Sequence, residues 1–333
     1  MILSQWPMSK ALILLALLPC AAQASDNAGA NDSAAQPPER STTQEVAIPF
    51  TLQEIFGLRP VIAAQVNGRP FQLVVHANAG SYLQMNHADA AATGVRDMQH
   101  TGSYGIAAPG EVSNLGRDDG IIDSLAIGNW HARDVPVAVF EVPAGGSQGM
   151  LGLPWLHAAG VVMDFANHTI TLSPAEAPRN ATDLAAKMEQ RGYSAHAMQR
   201  DPDDGRYLVM VTINGISAPM VVSSVAGTDL DSGFAQRAGL ANGDISGRYG
   251  GPSGTILNGY HSATPVELTI GNWSADPQIM TIVDTYGYSA KQRPDKPEDE
   301  RGGSLGADFL IRYRAVIDFG TRTLYLPAAT TAP

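Results

Sequence analysis

Val66-Asn67-Gly68, Leu73-Val74-Val75 and Ala79-Gly80-Ser81 stand in one part of the chain, and Ile213-Asn214-Gly215, Met220-Val221-Val222 and Ala226-Gly227-Thr228 stand in another, at a constant offset of 147 residues from Asn67 to Asn214 and from Gly80 to Gly227. Further blocks recur in the same order. Ile127-Gly128-Asn129-Trp130 returns as Ile270-Gly271-Asn272-Trp273, and Leu151-Gly152-Leu153-Pro154-Trp155-Leu156 as Leu305-Gly306-Ala307-Asp308-Phe309-Leu310. Val161-Val162-Met163-Asp164-Phe165 returns as Ala315-Val316-Ile317-Asp318-Phe319. Only loop lengths differ between the copies, so the chain is a tandem repeat of one structural unit.

Each block predicts a local structure. Asn-Gly between apolar runs predicts a type I′ hairpin, because both central residues need positive φ. Leu73–Val75 and Met220–Val222 are unbroken apolar runs, which fits strands covered on both faces. Asn86–Gly94 and Ser232–Gly239 predict short helices stopped by glycine. Two such units packed about an approximate two-fold axis would leave a groove between them.

The totals agree. The chain has 333 residues, enough for two lobes, with 34 glycines, 22 prolines and only 16% charged residues, a mix that favours an all-β, turn-rich protein. A net charge of -11 argues against nucleic acid and anionic membranes as partners. Lys10, the apolar run Ala11–Leu18 and Ala22-Gln23-Ala24 predict a signal peptide over 1–24 cleaved before Ser25, hence a periplasmic or secreted protein with no transmembrane segment. A lipoprotein site at Cys20 is disfavoured because Pro19 stands where a small residue is needed. Cleavage would remove the only cysteine, leaving no disulfide and no thiol nucleophile. Residues 25–45 read as a disordered leader, 46–173 as the first lobe, 174–205 as a linker with a short helix near Asp183–Arg191, and 206–328 as the second lobe.

These blocks resemble the retropepsin-like aspartyl proteases of bacteria and, more distantly, the two-lobed pepsins. The resemblance covers about Val46–Ser173 and Arg206–Pro327. It implies two tandem retropepsin-like β-barrel lobes about a pseudo-two-fold axis. The resemblance fails at the Asp-Thr-Gly motif. Aligned on Ala79, the first lobe has His76-Ala77-Asn78 there; aligned on Ala226, the second has Ser223-Ser224-Val225. Family chemistry needs two carboxylates sharing a proton, and His76 with Ser223 cannot form that pair. The supporting threonine survives only as Ser224, and the motif glycines have become Asn78 and Val225.

In the family a hairpin from each lobe closes over bound peptide. Gly102-Ser103-Tyr104-Gly105 and Gly247-Arg248-Tyr249-Gly250 occupy that place, which makes Tyr104, Gly105, Tyr249 and Gly250 the candidate peptide contacts. The expected function is therefore a non-catalytic binder of an extended peptide or protein segment, acting as a monomer without cofactor or metal. The eight histidines show no ligand spacing. The alternatives are an active aspartic-type endopeptidase with non-standard residues, a hydrolase using Ser223 and His76 as nucleophile and base, and a structural envelope scaffold. Asp231-Ser232-Gly233 lies past the anchor turn and reads as a helix cap. Gly145–Gly149 and Gly302–Gly306 fit Gly-x-Ser-x-Gly, but the repeat explains both as turns before the Leu-Gly strand.

Overall fold

The computed structural model describes residues 40–41, 45–54, 57–102, 117–140, 148–173, 181–202, 204–250, 256–285 and 301–328. Among these the chain is built from strands, with a few short helices at their ends. Both Asn-Gly turns have the positive φ they need: Asn67 48° and Gly68 76°, Asn214 50° and Gly215 79°. They join Leu58–Val66 to Arg69–Val75 in the first lobe, and Tyr207–Ile213 to Ile216–Val222 in the second. Each asparagine side chain also donates from Nδ2 to the end of the neighbouring helix, Asn67 to Thr93 O and Asn214 to Ala238 O, both at 2.9 Å. The repeated asparagine thus ties each hairpin to its helix as well as shaping the turn.

The apolar strand of each lobe runs beside the Leu-Gly strand. Gly149–Leu151 lies parallel to Leu73–Val75 and antiparallel to Leu83–Met85. Gly303–Leu305 lies parallel to Val221–Val222 and antiparallel to Asp229–Leu230. Close approach at Gly152 and Gly306 lets the following helix begin beneath the anchor turn, where Leu153 N donates to Ala79 O at 2.8 Å and Ala307 N to Ala226 O at 2.9 Å. A Cβ at Gly152 would fall on the carbonyl oxygens of Ser81 and Ala79, and one at Gly306 on the Gly227 backbone. The repeated tryptophans pack edge-on against the aromatic of these helices, Trp130 on Trp155 at 6.1 Å and Trp273 on Phe309 at 5.7 Å between ring centroids.

A six-stranded sheet joins the lobes and fixes the axis. At its centre Val162–Asp164 pairs antiparallel with Val316–Asp318, Met163 opposite Ile317 and the ends exchanged, 162 with 318 and 164 with 316. Phe165 N donates to Ala315 O and Phe319 N to Val161 O, both at 3.0 Å. Equivalent residues thus meet reciprocally, the contact pattern of a two-fold axis. Buried apolar side chains of both lobes form one continuous core.

Two segments differ from the expected boundaries. Tyr193–Ala197, inside the stretch read as linker, pairs with Thr323–Pro327 and forms the outer strand of the six-stranded sheet, opposite the place that Val46–Pro49 takes in the first lobe. Arg40–Ser41, inside the stretch read as leader, pairs with His131–Ala132. Neither segment shows an apolar periodicity of its own, so pairing with an existing strand defines it. The linker helix spans Ala181–Gln190. The signal segment lies outside the described residues, and among those described no helix is long and apolar enough to cross a membrane.

Candidate functional site between the lobes

The two turns that carry the altered motif meet at the axis. His76 N donates to Leu151 O and Ser223 N to Leu305 O, each at 2.8 Å, so the two residues hold equivalent places at the ends of equivalent strands. Each side chain then folds onto its own turn. His76 Nδ1 accepts from Asn78 N at 3.1 Å. Ser223 Oγ donates to Val225 O at 2.9 Å and accepts from Val225 N at 3.4 Å. No hydrogen bond joins His76 to Ser223, and the serine proton is committed to a backbone carbonyl. A nucleophile–base pair needs the opposite arrangement, so the geometry gives the serine–histidine hydrolase no support.

Ser224 is the bridge. Its hydroxyl accepts from Ala77 N and donates to Val75 O, both at 2.8 Å, reaching 147 and 149 residues along the chain into the other lobe. It is fully buried. The reciprocal bond from the first lobe is missing because Ala77 has no hydroxyl. Half of a symmetric brace therefore remains.

The residues that replace the motif glycines are not left-handed. Asn78 and Val225 both keep negative φ; the left-handed residue is Ala226, at φ 62°. Its N–H donates to Leu58 O at 3.2 Å and its carbonyl accepts from Ala307 N, so bonds to both lobes hold it there. Gly57, at φ 92°, lets the first lobe's backbone pass within contact of Ala226, where a Cβ would lie 3.1 Å from its Cα.

Two arginines that the sequence reading passed over complete the site. Arg59 and Arg206 are 1% and 2% exposed and stand 147 positions apart, the offset of the repeat. Arg206 faces Asp204 at 3.4 Å, and Asp204 also binds Arg301 at 2.6 Å. Burial opposes the charge on Asp204, but Arg206 and Arg301 outweigh it and hold the carboxyl below its usual range. Arg59 is different: its Nε and Nη2 are buried without a hydrogen-bond partner, and burial lowers its pKa to about 10. Burial, with the positive fields of Arg59 and Arg206, lowers His76 to about 3. The imidazole is therefore neutral at pH 7, and since Nδ1 accepts, its proton sits on Nε2. Where an acidic pair would sit, this protein has built a cationic centre. The repeat offset held the signal: Arg59 stands near the start of the strand Leu58–Val66, and Arg206 directly before the strand Tyr207–Ile213, 147 positions on.

Tyr249 is packed rather than displayed. It is 6% exposed, its ring covers Gly259 so closely that a Cβ there would clash, and its hydroxyl meets Ser246 Oγ at 3.4 Å. The glycine opposite admits the ring, which turns the tyrosine onto its own hairpin instead of over the groove. Gly250 pairs with Ile256 in the same hairpin. Tyr104 and Gly105 lie outside the described residues. Asp231 is the helix cap that was expected, Gly303–Leu305 is a strand where a turn was expected, and residues 145–147 lie outside the described residues. Asp231 caps its helix, accepting from Gly233 N at 2.9 Å. Ser304 is buried in a strand and donates to Asp229 Oδ2 at 2.6 Å. Among the described residues no cluster of three or more His, Cys, Asp or Glu could hold a metal ion.

No family model matches the chain, and no curated protein matches its sequence. Solved structures do. The aspartic proteinase from Irpex lacteus aligns over 86% of this chain and 98% of its own, at 12% identity and a TM-score of 0.48. A retropepsin-like aspartic protease from Rickettsia conorii aligns over 41% of this chain and 92% of its own, at 18% identity and a TM-score of 0.29. The strand order and reciprocal central pairing already define the class: an all-β protein of two retropepsin-like lobes about a pseudo-two-fold axis, the bilobal pepsin-like architecture.

Proposed function

We propose that this chain is a non-catalytic, secreted or periplasmic protein of aspartic-protease-like fold that holds an extended peptide or protein segment between its lobes. The observation that carries this reading is the inversion of charge at the axis. Cleavage in this architecture needs two carboxylates with one shared proton; here the equivalent positions hold a neutral His76 and a Ser223 bonded to its own turn, beside buried Arg59 and Arg206.

Binding rather than mere structural duty is favoured by the hairpins. The strands Arg96–Gly102 and Asn242–Gly250 are the outer edges of their sheets among the described residues. Each exposes one large apolar side chain, Met98 at 46% and Ile245 at 65%. Free edges offer backbone donors and acceptors to an added strand, and the flanking side chains supply selectivity. The test is incubation of the purified mature protein with a peptide library from about pH 3 to 8, with and without an aspartic-protease inhibitor, followed by mass spectrometry of cleaved and retained peptides. Retention of uncleaved peptides is expected; inhibitor-sensitive cleavage would sink the proposal.

A further inference from the structure

Arg59 poses a question that peptide binding along strand edges does not answer. A guanidinium can donate five hydrogen bonds, and burying its donors without acceptors is costly. Native proteins seldom leave such groups unpaired unless a ligand or ion completes them. Arg59 arises from the strand Leu58–Val66, whose first carbonyl binds Ala226 N of the other lobe. Val61 of the same strand packs with Val74, Met150, Val225 and Ala226, so the start of the strand runs against that lobe's turn. Its repeat partner Arg206 and the partly exposed His76 share the same centre.

Counting charge selects the ligand. Arg206 and Arg301 are set against Asp204 and Asp201, at 3.4 Å for Arg206–Asp204, and at 2.6 and 3.9 Å for Arg301 to Asp204 and Asp201. His76 is neutral. Arg59 has no such carboxylate among the described residues, so its own positive charge is uncompensated there. A monoanion neutralises it, whereas a dianion would bury surplus negative charge against apolar side chains. The two free nitrogens of Arg59, Nε and Nη2, form the edge of a guanidinium that matches a planar carboxylate bidentately. His76 Nε2–H is a further donor of the same centre, and Asn78, in the same turn as His76, keeps a buried, unpartnered amide group.

We infer that the centre of Arg59, Arg206 and His76 is a carboxylate-binding site, with Arg59 as the bidentate anchor and His76 at its solvent side. A free small acid and the C-terminal carboxylate of a peptide share this chemistry. The peptide source rests on the function proposed above; the small-acid source does not.

The experiment is calorimetric and thermal-shift titration of the mature protein with acetate, with a peptide bearing a free C-terminus, with the same peptide amidated, and with inorganic phosphate. Acetate should raise the melting temperature saturably, and phosphate should act only by ionic strength. Arg59→Met should weaken acetate by about tenfold or more, the worth of one charge-assisted bidentate contact. Without ligand, Arg59→Met should melt no lower than wild type, since it removes a charge with no partner. In the wild type itself, one arginine Nε–H NMR signal should shift saturably with acetate, which keeps the test independent of how the variant folds. A free-acid peptide stronger than its amide assigns the peptide source; acetate binding with no difference between the two peptides assigns the small acid. Failure of acetate and free-acid peptide alike, an unchanged acetate affinity in Arg59→Met, or phosphate bound as tightly as acetate overturns the inference. Absence of peptide binding with acetate binding intact would instead remove the peptide reading and leave the site.

Discussion

Asp229→Asn should make the protein more stable at alkaline pH and less stable at acidic pH. Asp229 is 7% exposed, beside Ser304 and within reach of the negative fields of Asp231 and Asp308. Burial is the main cause of its pKa rising from 3.8 to about 7, the two carboxylates add to it, and the hydrogen bond from Ser304 only partly opposes it. A carboxyl whose folded pKa is raised gives its full stability below the unfolded value and loses it as pH rises through the folded one. Three units at about 1.4 kcal/mol each put the loss on the order of 4 kcal/mol between about pH 4 and pH 8. Asparagine removes that loss, keeps an acceptor for Ser304, and adds an amide donor that costs about 1–2 kcal/mol if it finds no partner. The expected result in urea unfolding is a variant about 2–3 kcal/mol more stable than wild type near pH 8.5 and about 1 kcal/mol less stable near pH 4. His76 acts with the opposite sign. Its folded pKa near 3 lies below the ordinary 6.5, so its stability is present above that value and lost on acidification. Because His76 is common to both proteins, the difference between them isolates Asp229. A difference that stays constant from pH 4 to 8.5, or a variant that weakens further as pH rises, would refute the reasoning.

Ser224→Ala should cost about 2–4 kcal/mol in denaturant unfolding, because it strands the buried Ala77 N–H and Val75 carbonyl that Ser224 now satisfies; a loss under 1 kcal/mol would show that the inter-lobe brace is idle. Gly152→Ala should be worse, at least about 3 kcal/mol, since its Cβ would meet backbone rather than a movable side chain; normal expression and melting would contradict the close approach at the anchor turn. Restoring aspartates with His76→Asp and Ser223→Asp should still give no peptide cleavage, because Arg59 and Arg206 would keep both carboxylates ionised and deny them the shared proton. A fluorogenic peptide assay from about pH 3 to 7 measures this, and inhibitor-sensitive turnover by the double variant would reverse it.

Local chemistry made much of the fold legible. The Asn-Gly turns, the glycine stops of the short helices and the cap at Asp231 follow from backbone preferences that do not depend on distant residues. The strand Tyr193–Ala197 was not legible, because it is polar and is made a strand by its neighbour Thr323–Pro327. Tyr249 misled for a related reason: whether an aromatic on a hairpin faces a groove or its own strand depends on the residue across the ladder, here Gly259.

The site divides along the same line. The sequence alone determined that the lobes are repeats, that His76 and Ser223 replace the expected carboxylates, and that a hydroxyl survives only at Ser224. These are statements about residue identity in register, and the repeat supplies the register. The tertiary structure decided that Ser224 spans the lobes, that Ser223 is turned away from His76, and that Arg59 ends with buried nitrogens unpartnered. Arg59 and Arg206 were visible as a repeated pair, but only their burial at the axis gives that pair a meaning. An arginine in solvent is commonplace; one that is buried with two nitrogens unpaired sets the chemistry of the site.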